Sequence, residues 1–87
     1  MSYRIEFTSS AEREYLRLPK GNRQRVGQRV ESLADDPHPA GSVKLVGAKN
    51  LWRIRCGNYR VIYAIEVAAM IVAVVKVGHR RDVYRGM

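Results

Sequence analysis

Leu51-Trp52-Arg53-Ile54-Arg55-Cys56-Gly57-Asn58-Tyr59-Arg60-Val61-Ile62-Tyr63-Ala64-Ile65 reads as two β-strands joined by a two-residue turn. Aromatic and β-branched residues fill both runs, and Gly57-Asn58, with glycine first, suits a type II′ hairpin loop. A two-residue loop fixes the register. Cys56 then faces Tyr59, Arg55 faces Arg60, Ile54 faces Val61, Arg53 faces Ile62 and Trp52 faces Tyr63. Side chains alternate between the two faces of a strand. One face therefore carries Trp52, Ile54, Val61 and Tyr63, which is core material. The other gathers Arg53, Arg55 and Arg60.

Like charges directly opposite one another destabilise a sheet. Two guanidinium groups about 6 Å apart repel by roughly 0.7 kcal/mol even at the dielectric constant of water. Selection for stability alone would place Thr, Glu or Gln at one of these positions. No acidic residue lies within the two runs to relieve the cluster; the nearest is Glu66, beyond the second. One arginine here would read as an ordinary solvated residue. Three on one hairpin face form a patch that a phosphate or an acidic partner would neutralise.

Outward from the hairpin, residues 70–77 form a third strand-like run that closes at Gly78, and the joint around residues 66–69 has poor turn residues. If this run lies beside the second strand, the segment Gly78-His79-Arg80-Arg81-Asp82-Val83-Tyr84 starts near the hairpin tip. Arg80 then reaches the rim of the arginine face. Tyr84 offers a ring for base stacking, the usual grip on single-stranded RNA. Residues 40–50 read as a loop.

Upstream, residues 3–7 alternate Tyr3, Ile5 and Phe7 with Arg4 and Glu6, the pattern of a half-buried strand. Ser9 and Glu12 have the spacing of a capping box, opening a helix that carries Ala11, Tyr15 and Leu18 and ends before Pro19. Lys20-Gly21-Asn22 reads as a turn. A second helix is expected from about Arg23 to Ala34, with Val26, Val30 and Leu33 on its buried stripe. Its arginines, and those of the first helix, read mostly as a solvated face. The expected fold is α+β: an N-terminal strand, an antiparallel two-helix hairpin and a three-stranded antiparallel meander, with the helices on one face of the sheet.

The chain has 87 residues, which fits one domain over residues 1–87. Lys and Arg number 16 against 8 Asp and Glu, a formal net charge of +8. That excess points to a polyanionic partner. Hydrophobic residues make up 46%, too many for a disordered basic tail. The lone Cys56 rules out an intrachain disulfide, and with only His38 and His79 beside it no metal or cofactor site is expected. The longest apolar run spans nine residues, 67–75, against about 20 needed to cross a bilayer. No signal-peptide core opens the chain. The expectation is a full-length, soluble, cytoplasmic protein with no membrane partner.

Lys44-Leu45-Val46-Gly47, the hairpin from Leu51 to Ile65, and Val75-Lys76-Val77-Gly78-His79-Arg80-Arg81-Asp82-Val83-Tyr84 together resemble the RelE/ParE superfamily of bacterial toxins, and its RelE-like branch in particular. The order of elements is similar as well. The resemblance implies a toxin of a type II toxin–antitoxin pair. It implies an endoribonuclease that cleaves mRNA in the A site of the 70S ribosome, by attack of a ribose 2′-OH on the adjacent phosphate. Family positions fall on Arg53, Arg55, Arg60, Arg80 and Tyr84. Arg60 and Arg80 would hold the scissile phosphate, and Tyr84 would stack on a base. An acidic antitoxin would cover the basic surface.

Two departures stand out. The best-known branch has Lys where this chain has Arg53 and Arg55, and arginine cannot serve as a general base. His79 is then the candidate proton shuttle, or the ribosome supplies part of the proton handling. The family also continues into a helix after the tyrosine, where this sequence has Arg85-Gly86-Met87. Two other readings are a ParE-like inhibitor of DNA gyrase and a non-catalytic basic RNA-binding module.

Overall fold

A computed structural model describes residues 2–84 of the chain; Arg85, Gly86 and Met87, where the family pattern continues, lie outside that span. The order of elements is β1 (Arg4–Phe7), α1 (Ser9–Leu16), α2 (Lys20–Ser32), β2 (Val43–Lys44), β3 (Trp52–Cys56), β4 (Tyr59–Glu66) and β5 (Ile71–His79). The α+β class holds. The sheet has five strands in the order β1-β5-β4-β3-β2, and it is mixed.

β3, β4 and β5 form the antiparallel meander read from the sequence. The hairpin register agrees at every pair, from Cys56↔Tyr59 to Trp52↔Tyr63. Gly57 has φ +60°, and among the described residues Met70 is the one non-glycine with positive φ. Positive φ at the first turn residue and not at Asn58 is the type II′ pattern.

Two features of the sheet go beyond the sequence reading. β1 pairs with β5 in parallel, Arg4↔Ile71 through Phe7↔Val74, because the helices and three strands intervene before β5 arrives beside it. The loop before β3 also contributes a strand: Val43 pairs with Arg53 and Lys44 with Trp52. Two residues give too short a period to detect in a sequence.

The β4–β5 register shifts between Ile62 and Tyr63, so Val75 is an extra residue in β5. Such a bulge re-aims the residues after it. Beyond the end of β1, Glu14 of α1 occupies the open edge of β5: its carboxylate accepts from the Val77 N–H at 2.9 Å and pairs with Lys76 at 3.5 Å. The joint before β5 closes with the Met70 N–H donating to the Val67 carbonyl, with Met70 at φ +56°.

Helix starts also differ. Thr8, not Ser9, is the cap of α1, its hydroxyl accepting from the Ala11 N–H at 3.2 Å. α2 begins at Lys20, with Pro19 as its N-cap. The missing proline N–H costs nothing there, so Lys20-Gly21-Asn22 forms the first turn rather than a loop.

α1 packs on β1 and β5, α2 on β3 and β4. The helices meet where the Tyr15 ring lies over Gly27; a Cβ there would sit 2.5 Å from the Tyr15 hydroxyl. Between helices and sheet lie Ala11, Val26, Val30, Leu33, Ile54, Val61, Tyr63, Ile65, Val72, Val74 and Val77, all buried. Trp52 borders this core half-buried, with His38 edge-on at 4.4 Å. Tyr63 is fully buried, and its hydroxyl donates to the Pro37 carbonyl at 2.8 Å. Burial pushes its phenol above the usual value.

Candidate functional site

The pairing Arg55↔Arg60 puts two guanidinium-bearing residues side by side, and Arg53 lies two residues along β3 on the same face. This face points away from the helices. Burial, then Arg53 and Arg55, then Arg80 push the Arg60 guanidinium below its usual value, with Tyr84 working the other way. Arg60 holds the hairpin tip, donating through Nη1 to the carbonyls of Gly57 and Tyr59 at 3.0 Å each. The ion pairs among the described residues are Arg4–Glu6 and Lys76–Glu14, and neither involves these arginines.

The segment after β5 turns back onto the same face. The Arg80 N–H donates to the Asn58 carbonyl at 2.7 Å, and the N–H groups of Asp82 and Val83 donate to the His79 carbonyl. Gly78 pairs with Arg60 and so faces the arginine side. Val83 packs over this position, its Cβ 3.7 Å from where a Gly78 Cβ would be, an ordinary van der Waals contact. Val83 is 1% exposed and Ile62, on the same face, is fully buried. These two make a small apolar floor under the charges. Val83 anchors the turn, and the next residue, Tyr84, reaches Arg53: Arg53 Nη1 donates to the Tyr84 hydroxyl at 3.3 Å. Arg53 Nε is buried without a hydrogen-bond partner.

Five of the residues singled out in the sequence thus converge: Arg53, Arg55, Arg60, Arg80 and Tyr84. His79 does not join them. It pairs with Tyr59, which lies on the helix side of the sheet, and the two rings meet edge-on at 5.8 Å. His79 Nδ1 accepts from the Arg81 N–H at 3.2 Å, so the imidazole braces the turn that carries Val83 and Tyr84.

Two clefts flank the arginine face. One, of about 640 Å³, is lined by Leu45, Val46, Gly47, Ala48, Leu51 and Tyr84, with Tyr84 44% exposed and Val46 fully so. The other, about 400 Å³, is lined by Arg29, Ala40, Gly41, Arg53 and Arg55. Arg29 had read as part of a solvated helix face, and only the packing of α2 beside β3 brings it here. Val83 was equally hidden, although an isolated valine in a polar tail, five residues after a glycine, is the signal that marks it. Among the described residues no group of three or more His, Cys, Asp or Glu side chains could hold a metal ion. No helix there is long and apolar enough to cross a membrane.

The sequence matches, over residues 5–84, the family model of the ParE toxin of the type II toxin–antitoxin system parDE. It is 34% identical over 88 residues to a RelE-like toxin protein of Escherichia coli, covering 97% of this chain and 92% of that one. The fold is similar to the toxin–antitoxin complex RelBE2 of Mycobacterium tuberculosis, with a TM-score of 0.82 and 26% identity over 92% of this chain and 100% of that one. It is also similar to the archaeal RelE–RelB complex of Pyrococcus horikoshii, with a TM-score of 0.81 and 28% identity over 94% and 99%.

Proposed function

We propose that this chain, which belongs to the RelE/ParE superfamily and is the toxin of a RelBE-type toxin–antitoxin pair, is a ribosome-dependent endoribonuclease that cleaves mRNA. The observation that carries the reading is the convergence of Arg60 with Arg53, Arg55 and Arg80, together with a tyrosine hydrogen-bonded to Arg53. The arginines bind the scissile phosphate of an mRNA in the ribosomal A site. The 2′-oxygen of the preceding ribose attacks phosphorus, and the bond to the 5′-oxygen breaks. The products are a 2′,3′-cyclic phosphate and a 5′-hydroxyl end.

Negative charge builds on the phosphorane oxygens, and fixed guanidinium groups stabilise that charge more than the ground state. Tyr84 stacks on a neighbouring base and orients the attacking ribose. Arginines do not exchange protons at neutral pH, so they act by charge and position. The proton lost by the 2′-OH and the proton gained by the 5′-oxygen therefore pass through other groups, those of the ribosome or the His79 imidazole. The RelE–RelB complexes among the similar structures support an antitoxin partner, and an acidic one would cover the basic face and block RNA.

The test uses purified 70S ribosomes carrying a defined message. The expected result is cleavage in the A-site codon, mapped by primer extension, with the same message uncut when free. Uncut message on ribosomes refutes the nuclease reading. The ParE description of the family model favours one rival, a gyrase inhibitor. Loss of gyrase supercoiling with uncut mRNA would establish it.

A further inference from the structure

We propose that the cleft lined by Arg29, Ala40, Gly41, Arg53 and Arg55 is a second phosphate site, taking the RNA phosphate next to the one held at Arg60. This inference rests on the RNA reading above. Three guanidinium-bearing residues from two elements border the cleft, Arg29 from α2 and Arg53 and Arg55 from β3. No acidic side chain lines it. The opposite wall is Ala40 and Gly41, small residues that leave the space open; Gly41 has φ +90°, a conformation that favours glycine.

β2 pairs only with Arg53 and Trp52, so residues 40–41 run beside Arg55 without pairing, and the gap between them is the cleft. Arg53 and Arg55 border this cleft and also crowd Arg60. At about 3.3 Å per residue they stand roughly 6.6 Å apart along β3, so a polynucleotide crossing that strand stays in contact with guanidinium groups throughout. Arg53 Nη1 is engaged by Tyr84, whereas its Nε–H is buried and unpartnered. The charged lining suits a phosphodiester better than an acidic peptide, whose apolar anchors would seek the cleft at Leu45, Leu51 and Tyr84.

The experiment measures binding of uncleavable 2′-O-methyl oligonucleotides by fluorescence anisotropy across a salt series. A dinucleotide has one bridging phosphate and fills only the Arg60 site; a tetranucleotide reaches both. Arg29→Gln is expected to weaken the tetranucleotide about fivefold near 0.1 M salt and to flatten its log–log salt slope by about 0.7. Dinucleotide binding stays unchanged, and Arg29→Lys recovers most of the loss. Ala40→Glu, at an exposed position off the helix, is expected to show the same selective loss without touching α2.

Equal binding of the tetranucleotide by wild type, Arg29→Gln and Ala40→Glu overturns the second site. So does a parallel loss for both oligonucleotides, or a loss seen only with an acidic antitoxin peptide. In each of these cases the wild-type protein still binds the dinucleotide, so the RNA reading itself stands. A wild-type protein that binds neither oligonucleotide removes both readings together.

Discussion

The two faces of the β3–β4 hairpin are built from alternate residues of the same strands, yet they follow opposite rules. On the helix side, Ile54, Val61 and Tyr63 are buried against apolar neighbours, and the fully buried Tyr63 phenol has its hydrogen bond to the Pro37 carbonyl. On the other side, Arg53, Arg55 and Arg60 crowd together, and Arg53 Nε is buried unpaired. The first face lowers the free energy of the fold. The second raises it and is tolerated because the first provides a margin. Stability and function are thus separable on one ribbon, and substitutions can be chosen to strike either.

The largest effect is expected on the core side. Tyr63→Ala removes a fully buried ring and should cost about 3–5 kcal/mol, enough to unfold much of a domain this small. Thermal or urea denaturation reads it directly. The raised Tyr63 phenol adds a pH signature. Its stabilisation is complete below about pH 10 and fades as pH rises through the folded value, since the unfolded chain releases that proton first. Tyr63→Phe should flatten this alkaline loss.

Arg60→Gln is the mirror experiment. It should lower mRNA cleavage about 10²–10³-fold, the scale on which removing one stabilising donor acts. The melting temperature should change little, because relief of the repulsion from Arg53, Arg55 and Arg80 offsets the loss of the Arg60 hydrogen bonds to the Gly57 and Tyr59 carbonyls. A variant that loses both stability and activity would show that the arginine face is structural after all.

The hairpin's two faces were legible in the sequence because a two-residue turn leaves one register, and alternation does the rest. The surroundings were not. β2 is too short to show a period, and parallel pairing of β1 with β5 depends on where the intervening chain crosses the sheet. Pro19 reads as a helix end or a helix start with equal ease, and the structure makes it a start. The bulge at Val75 comes from fitting β5 to β4, which neither strand encodes alone. Arg29 looked like one solvated arginine among several on the helices until α2 set it beside β3.

Val83 sharpens the comparison, since it is an apolar residue that serves the charged face. Val83→Ala removes about two methylene equivalents from a buried site, roughly 1.6 kcal/mol. The core should stay folded, while Tyr84 loses the anchor that holds it against Arg53. Cleavage is expected to fall more than global stability does, and amide exchange should quicken in residues 80–84 but not in β3 or β4. Equal exchange in both regions would mean that the turn and the sheet unfold as one unit.

His79 gives the smallest effect and separates chemistry from support. Its Nδ1 accepts the Arg81 N–H on the side of the sheet away from the arginines. An asparagine side-chain oxygen can take that N–H, so His79→Asn is expected to keep cleavage within about twofold of wild type, losing only a fraction of one hydrogen bond. His79→Ala abandons the bond and should loosen the turn by about 0.5–1.5 kcal/mol, with a matching modest loss of activity. A proton shuttle would behave differently. Neither replacement carries a group that titrates near neutrality, so both variants would lose cleavage alike, and the rate would lose its pH dependence between about pH 5 and 8. Comparing the two substitutions over that range therefore decides whether the imidazole acts through its hydrogen bond or through its proton.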